Sequence, residues 1–148
     1  MKQYLVILIF GLLAAATASH AAAPENYIKY RQAMMKAVGG HMSASSQILR
    51  GKVSVDGDLA MHARALAGLN ANLTRLFPEG SDFGETKAKE AIWEDWAKFE
   101  QAANAARDAT AAFAEAAASG DTAQIKAAHK DVGKSCKGCH KDFRQKDD

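Results

Sequence analysis

The sequence predicts an all-α protein, an antiparallel four-helix bundle, on the strength of three observations. After the first two dozen residues no segment alternates apolar and polar side chains as a strand would; apolar residues recur every three or four positions instead. Proline is confined to Pro24 and Pro78, which leaves long stretches without a helix breaker. Alanine, the strongest helix former, is abundant between them. At 148 residues and 48% hydrophobic, the chain suffices for one domain with a real core.

The first element is not part of that bundle. Lys2 supplies a positive start, "YLVILIFGLLAAATA" (Tyr4 to Ala18) is apolar, and Ser19 and Ala21 are small residues at the −3 and −1 positions of a cleavage site. Residues 1–21 therefore read as a secretory signal peptide, with Ala23 as a second cleavage point, and 22–148 as the mature domain. An uncleaved anchor is the alternative, but the strongly apolar part is short for a bilayer span of roughly 20 residues. The cargo is expected in the bacterial periplasm, with no membrane attachment after cleavage. Lys2 is the leader's sole charged residue, so the mature domain stays close to neutral. With no basic run or patch, no nucleic-acid partner is expected.

Four helices follow. Pro24 suits the first turn of a helix running to about Arg50, with Ile28, Arg31, Met35, Val38, Met42, Ser45 and Leu49 as its inward stripe. "GKVSVDGD" (51–58) is a loop. A second helix spans about Leu59 to Phe77, with Leu66, Leu69, Leu73 and Leu76 along one face, and "PEGSDFGE" (78–85) connects it onward. The third runs from about Thr86 to Ser119, with Ile92, Trp96, Phe99, Ala103, Ala106 and Phe113 in step, and Gly120 stops it. Asp121 caps the fourth, with Gln124 as its capping-box partner. That helix carries Ile125, His129, Val132, Cys136, Cys139 or His140, and Phe143 on one face. Stripes of this length favour helices packed antiparallel at shallow angles.

The chemistry lies in the last helix. Its "SCKGCHKDFR" (135–144) holds both cysteines of the chain, three apart, and a histidine directly after the second. Zinc needs four ligands, and His41, His62 and His129 are scattered over three helices. A redox dithiol belongs at a helix N-terminus, where the dipole stabilises thiolate, whereas this pair sits near a C-terminus. A disulfide across three residues of one helix constrains almost nothing and leaves His140 unexplained. Covalent haem explains all three residues. Thiols three apart share a helix side and can each bond one vinyl group, and His140 then reaches the iron. Cys-x-x-Cys-His is the c-type attachment pattern, and such attachment occurs in exported proteins. One covalent haem c is the cofactor expected.

On these residues the chain resembles the cytochrome c prime family, the class II c-type cytochromes with their low-spin methionine-ligated relatives, and a standard example of the four-helix bundle. "CKGCHKDFR" (136–144) matches the family's haem motif near the C-terminus. "YRQAMMKAVGGHM" (30–42) matches its first helix, and "LFPEG" and "AIWEDWAKF" its central connection and third helix. The resemblance spans the whole mature chain. It implies that His140 is the proximal iron ligand and that Met35 faces the opposite side of the iron. Arg31, one turn before Met35 on the inward stripe, needs a buried anionic partner, and a haem propionate would be one. The resemblance brings Gln32 to a propionate as well, and gives Arg144 a propionate or the exposed haem edge. It also implies that Trp96 or Phe99 faces the haem, and that two copies can pair through the first two helices. Met34 and Met42 read as core filling, Trp93 as packing, His129 as a core-edge residue, and His41 and His62 as surface or interface.

Two functions are open. In the first, Met35 is the sixth ligand, and a low-spin haem exchanges electrons with periplasmic redox proteins. In the second, Met35 packs over a vacant position that admits a diatomic gas, NO or CO. The first is preferred. No second acid–base group sits on the Met35 stripe, so the protein is not expected to be an enzyme.

Overall fold

A computed structural model describes residues 23–146; the leader, 1–21, and its cleavage point after Ala21 lie outside them. The described chain forms helices α1 (Pro24–Leu49), α2 (Asp58–Asn70), α3 (Ala91–Glu94), α4 (Trp96–Ser119) and α5 (Thr122–Phe143), with one 3-10 turn at Thr74–Leu76. The four long ones make the antiparallel bundle. α1 packs on α2, α2 on α4, and α4 on α5. Among the described residues no helix is long and apolar enough to cross a membrane.

The ends follow local chemistry. Pro24 opens α1 in its first turn. Beyond Leu49 the chain reverses at Gly51 (φ 66°), where the backbone N–H groups of Arg50 and Gly51 donate to the carbonyls of Ser46 and Ile48. Gly120 (φ 77°) closes α4. Asp121 then caps α5 by accepting from the backbone N–H groups of Ala123 and Gln124. The Gln124 amide returns to the Asp121 carboxylate at 3.0 Å, a side-chain variant of the reciprocal cap expected.

Two helices are shorter than their periodicity suggests. The second stops at Asn70, whose buried amide donates to the Leu66 carbonyl. The 3-10 turn then carries Leu73 and Leu76 into the core, because a spacing of three fits a 3-10 turn as well as an α-helix. Phe77, before Pro78, is driven out of the helical region (φ −126°, ψ 55°) and is buried. The third does not begin at Thr86. Lys87 to Lys89 instead run alongside the end of α5: Ala88 bridges Arg144, Lys89 N–H donates to the Phe143 carbonyl, and Gln145 N–H to that of Lys87. After the single turn of α3 the backbone breaks at Asp95, whose carboxylate accepts from Lys98 N–H and starts α4.

Side chains fill two clusters. One gathers Leu73, Leu76, Phe77, Ile92, Phe99, Ala103 and Phe143, with Met34, Met35 and Cys139 against it. The other gathers Ala63, Leu66, Phe113, Ala116, Ile125 and Val132, with Val38, Met42 and Cys136 against it. Of the expected α1 stripe, Ile28, Arg31 and Ser45 are fully buried and Met35, Val38, Met42 and Leu49 are half-buried.

The Asp121 cap yields a pH-dependent prediction. Its bonds from Gln124 and Ala123 hold its carboxyl below the ordinary carboxylate range. A group depressed in the folded state stabilises above its unfolded pKa and loses that contribution as pH falls through the folded value. Asp121→Ala is therefore expected to lower the melting temperature at pH 7, with the gap from wild type closing in acid. A gap that persists at the lowest pH at which both proteins fold would refute the cap's electrostatic part.

Candidate functional site

α5 places the two thiols where the clusters meet, Cys136 against the second and Cys139 against the first. Both are free thiols and half-buried. Burial raises each pKa, that of Cys139 to about 11 with Cys136 and Asp142 adding to it, so neither is a thiolate near neutral pH. That is the opposite of a redox dithiol. His140 follows at the surface. Partial desolvation, and then the charge of Arg144, lower its pKa and hold the imidazole in the neutral form that ligates metals. It lines a cleft of about 440 Å³ with Lys137, Lys141, Arg144, Gln145 and Lys146.

Across from α5, α1 contributes Met35, half-buried against the same aromatic cluster as Cys139. Its neighbour Met34 reaches that cluster too, although its sequence position reads as filler. The two candidate aromatics differ in burial. Phe99 is 1% exposed, edge-on to Phe77 at 4.7 Å and to Phe143 at 5.4 Å, whereas Trp96 is 39% exposed. Phe77 is a wall residue that periodicity hid, since it read as the last residue of a helix.

Arg31 is held by a set of protein oxygens. It is 3% exposed, and its Nη1 donates to the Leu76 carbonyl (3.1 Å) and Ser81 Oγ (2.9 Å). Its Nη2 donates to the Ser81 carbonyl (2.8 Å) and Thr86 Oγ1 (2.9 Å), and the guanidinium lies 4.7 Å from the Phe77 ring centre. These acceptors are neutral oxygens of the crossover segment between α2 and α3. Buried carbonyls there have no helix to bond within, and the planar fork of one arginine satisfies them together. Burial pulls its pKa down, but arginine remains charged. Gln32 joins in, donating to the Glu85 carbonyl at 2.7 Å. Both residues pin the crossover to α1, a role that the propionate expectation did not include.

Two reduced thiols on adjacent turns, a neutral imidazole after the second and a hydrocarbon wall fit a covalently held haem. They do not fit zinc: among the described residues no three His, Cys, Asp or Glu side chains gather to hold an ion. Fold and donor set together define the class, a four-helix-bundle c-type cytochrome. The family model for cytochrome c′ matches residues 26–144, and the chain belongs to the cytochrome c prime family. It is 41% identical over 125 residues to cytochrome c′ of Pararhodospirillum photometricum, covering 84% of this chain and 100% of that one. To the Rhodospirillum rubrum protein it is 35% identical over 145 residues, covering 97% and 99%. Among solved structures, a nitric oxide complex of a leucine-to-alanine mutant of Alcaligenes xylosoxidans cytochrome c prime superposes with a TM-score of 0.79. That pair shares 32% identity over 86% of this chain and 99% of the other. As members of the family do, the chain carries one covalent haem c.

Arg31→Met is expected to cost about 3 kcal/mol or more of stability, because it strands buried carbonyls rather than exposing them. Denaturant unfolding of the haem-loaded protein, followed by circular dichroism, measures it. Unchanged stability would refute this structural role, and a shifted haem spectrum in the same variant would support the propionate contact.

Proposed function

We propose that the protein is a gas binder of the bacterial periplasm, taking NO or CO at a haem c. Cys136 and Cys139 hold the haem through thioethers, and His140 supplies the proximal imidazole. When bound, the haem provides an iron with one coordination position left for a diatomic ligand. Met35 packs over that position. The leader 1–21 directs export and is removed.

One observation carries the reading. Met35 and Met34 pack against the same apolar cluster as Cys139, so that thiol is bordered by a wall of thioether and hydrocarbon. Such a wall admits a small, weakly hydrated diatomic molecule and penalises a hydrated or bulky one. The nitric oxide complex of the Alcaligenes relative supports the same reading. It replaces the first expectation, an electron carrier with Met35 as sixth ligand, since the relatives reported above are cytochromes c prime. Arg144, which shares the cleft with His140, is the residue we assign to the haem edge.

The test is optical. Purified haem-loaded protein is expected to be high-spin in the ferric form and to bind CO readily once reduced. Met35→Ala is expected to speed CO association about tenfold, equivalent to ~1.4 kcal/mol of relieved crowding. A low-spin ferric spectrum with a weak Met–Fe charge-transfer band, lost in Met35→Ala, would reinstate the electron carrier. Attachment has its own check. Acidified organic solvent is expected to leave the haem on wild type and to extract it from a Cys136→Ala, Cys139→Ala double variant.

A further inference from the structure

The haem site does not use His41 and His62. α1 and α2 bring these two imidazoles together from 21 residues apart, Nδ1 to Nδ1, at 2.8 Å, with ring centres 5.1 Å apart and planes tilted by 59°. Both are half-buried, so their positions are set by packing while an edge stays open to water. Two Nδ1 atoms this close cannot both carry protons pointing at each other. In the neutral pair one ring donates its Nδ1–H and the other offers its lone pair. With that proton moved to the far nitrogen of its ring, the same two Nδ1 atoms, held by two helices, can act as a chelate. Metal–imidazole bonds of about 2.0–2.1 Å with an angle near 90–110° place the two nitrogens about 3 Å apart, close to the spacing already present.

We propose that His41 and His62 form a bidentate site for a divalent transition-metal ion of imidazole-preferring character, copper(II) foremost, separate from the haem. The ion takes the place of the proton shared between the rings: the donating ring shifts that proton to its Nε2, so both ligands are neutral imidazoles and the neutral pair loses no net proton. Water completes the coordination, since no third His, Cys, Asp or Glu converges there among the described residues. Copper(II) leads because it binds nitrogen ligands most tightly of the first-row divalent ions and tolerates two protein ligands with waters. The register supports the separation from haem. His41 lies six residues beyond Met35 along α1, a rise of about 9 Å, and on a different helix face. The site therefore stands whether or not the gas-binding reading does.

Titration of the haem-loaded protein with copper(II) chloride, by calorimetry and by electron paramagnetic resonance, tests it. Wild type is expected to bind one copper per chain, with splitting from two imidazole nitrogens. His41→Gln and His62→Gln are each expected to weaken binding roughly a hundredfold by removing one arm of the chelate. An unchanged haem spectrum and helical signal certify that each variant is folded, and the nitrogen count on wild type decides even if a variant is not. The proposal is overturned if wild type binds copper no more tightly than the His41→Gln, His62→Gln double variant. It is equally overturned if one single variant loses binding and the other keeps it, or if only one nitrogen is seen.

Discussion

The hydrogen bonds from Arg31 to Leu76, Ser81 and Thr86 tie α1 to the chain that crosses from α2 to α3. Much of the site end of the bundle depends on that tie. The crossover leaves helical structure inside the protein, so its carbonyls must find donors or bear a desolvation cost. A guanidinium meets the requirement because its donors lie in one plane and reach several acceptors at once. The same group lies against the ring of Phe77, fixing the aromatic that stands edge-on to Phe99 in the wall of the site. Trp93 reinforces the arrangement by donating from its indole N–H to the Pro78 carbonyl. Sequence reading linked this arginine to the cofactor, and the packed chain gives it a structural task besides, holding the crossover and the ring of Phe77 in place.

A second constraint acts at the other side of the same site. The last turn of α5, with Cys139 and His140, is followed at once by the short pairing of Ala88 with Arg144. Lys89 and Gln145 contribute the two backbone hydrogen bonds that hold it. An unsupported helix end frays. This one is clamped, so the histidine and thiols keep their register relative to Met35 on α1. The clamp also explains why the third helix begins late. Residues 87–89 are needed as an extended segment, and tertiary hydrogen bonds override a moderate helix propensity there.

The thiols show how environment sorts one motif among several chemistries. At a helix N-terminus, in a polar setting, this spacing would favour a thiolate and redox exchange. Here burial raises both pKa values, and Met34, Met35 and Phe99 belong to the cluster that Cys139 adjoins. The neutral imidazole of His140 and the surrounding hydrocarbon then suit an iron porphyrin, whose reactivity depends on axial ligand and access. The energetic ingredients are ordinary, namely desolvation, helix spacing and aromatic packing.

What the sequence determined by itself was local. The Cys136–Cys139–His140 spacing, the Pro24 start, the Gly120 stop and the Asp121 cap each depend on residues within four positions of one another, where helix geometry alone settles who meets whom. The all-α class was legible for the same reason, since its periodicity is a property of the chain. What only the tertiary structure decided were choices between partners distant in sequence. Arg31 met Ser81 and Thr86, Phe99 was buried while Trp96 stayed partly exposed, the chain broke at Asp95, and His41 met His62 across two helices. Periodicity names the face of a helix and is silent on what lies opposite. That depends on where loops turn and which buried polar groups still need partners, and these are satisfied only once the whole chain is packed.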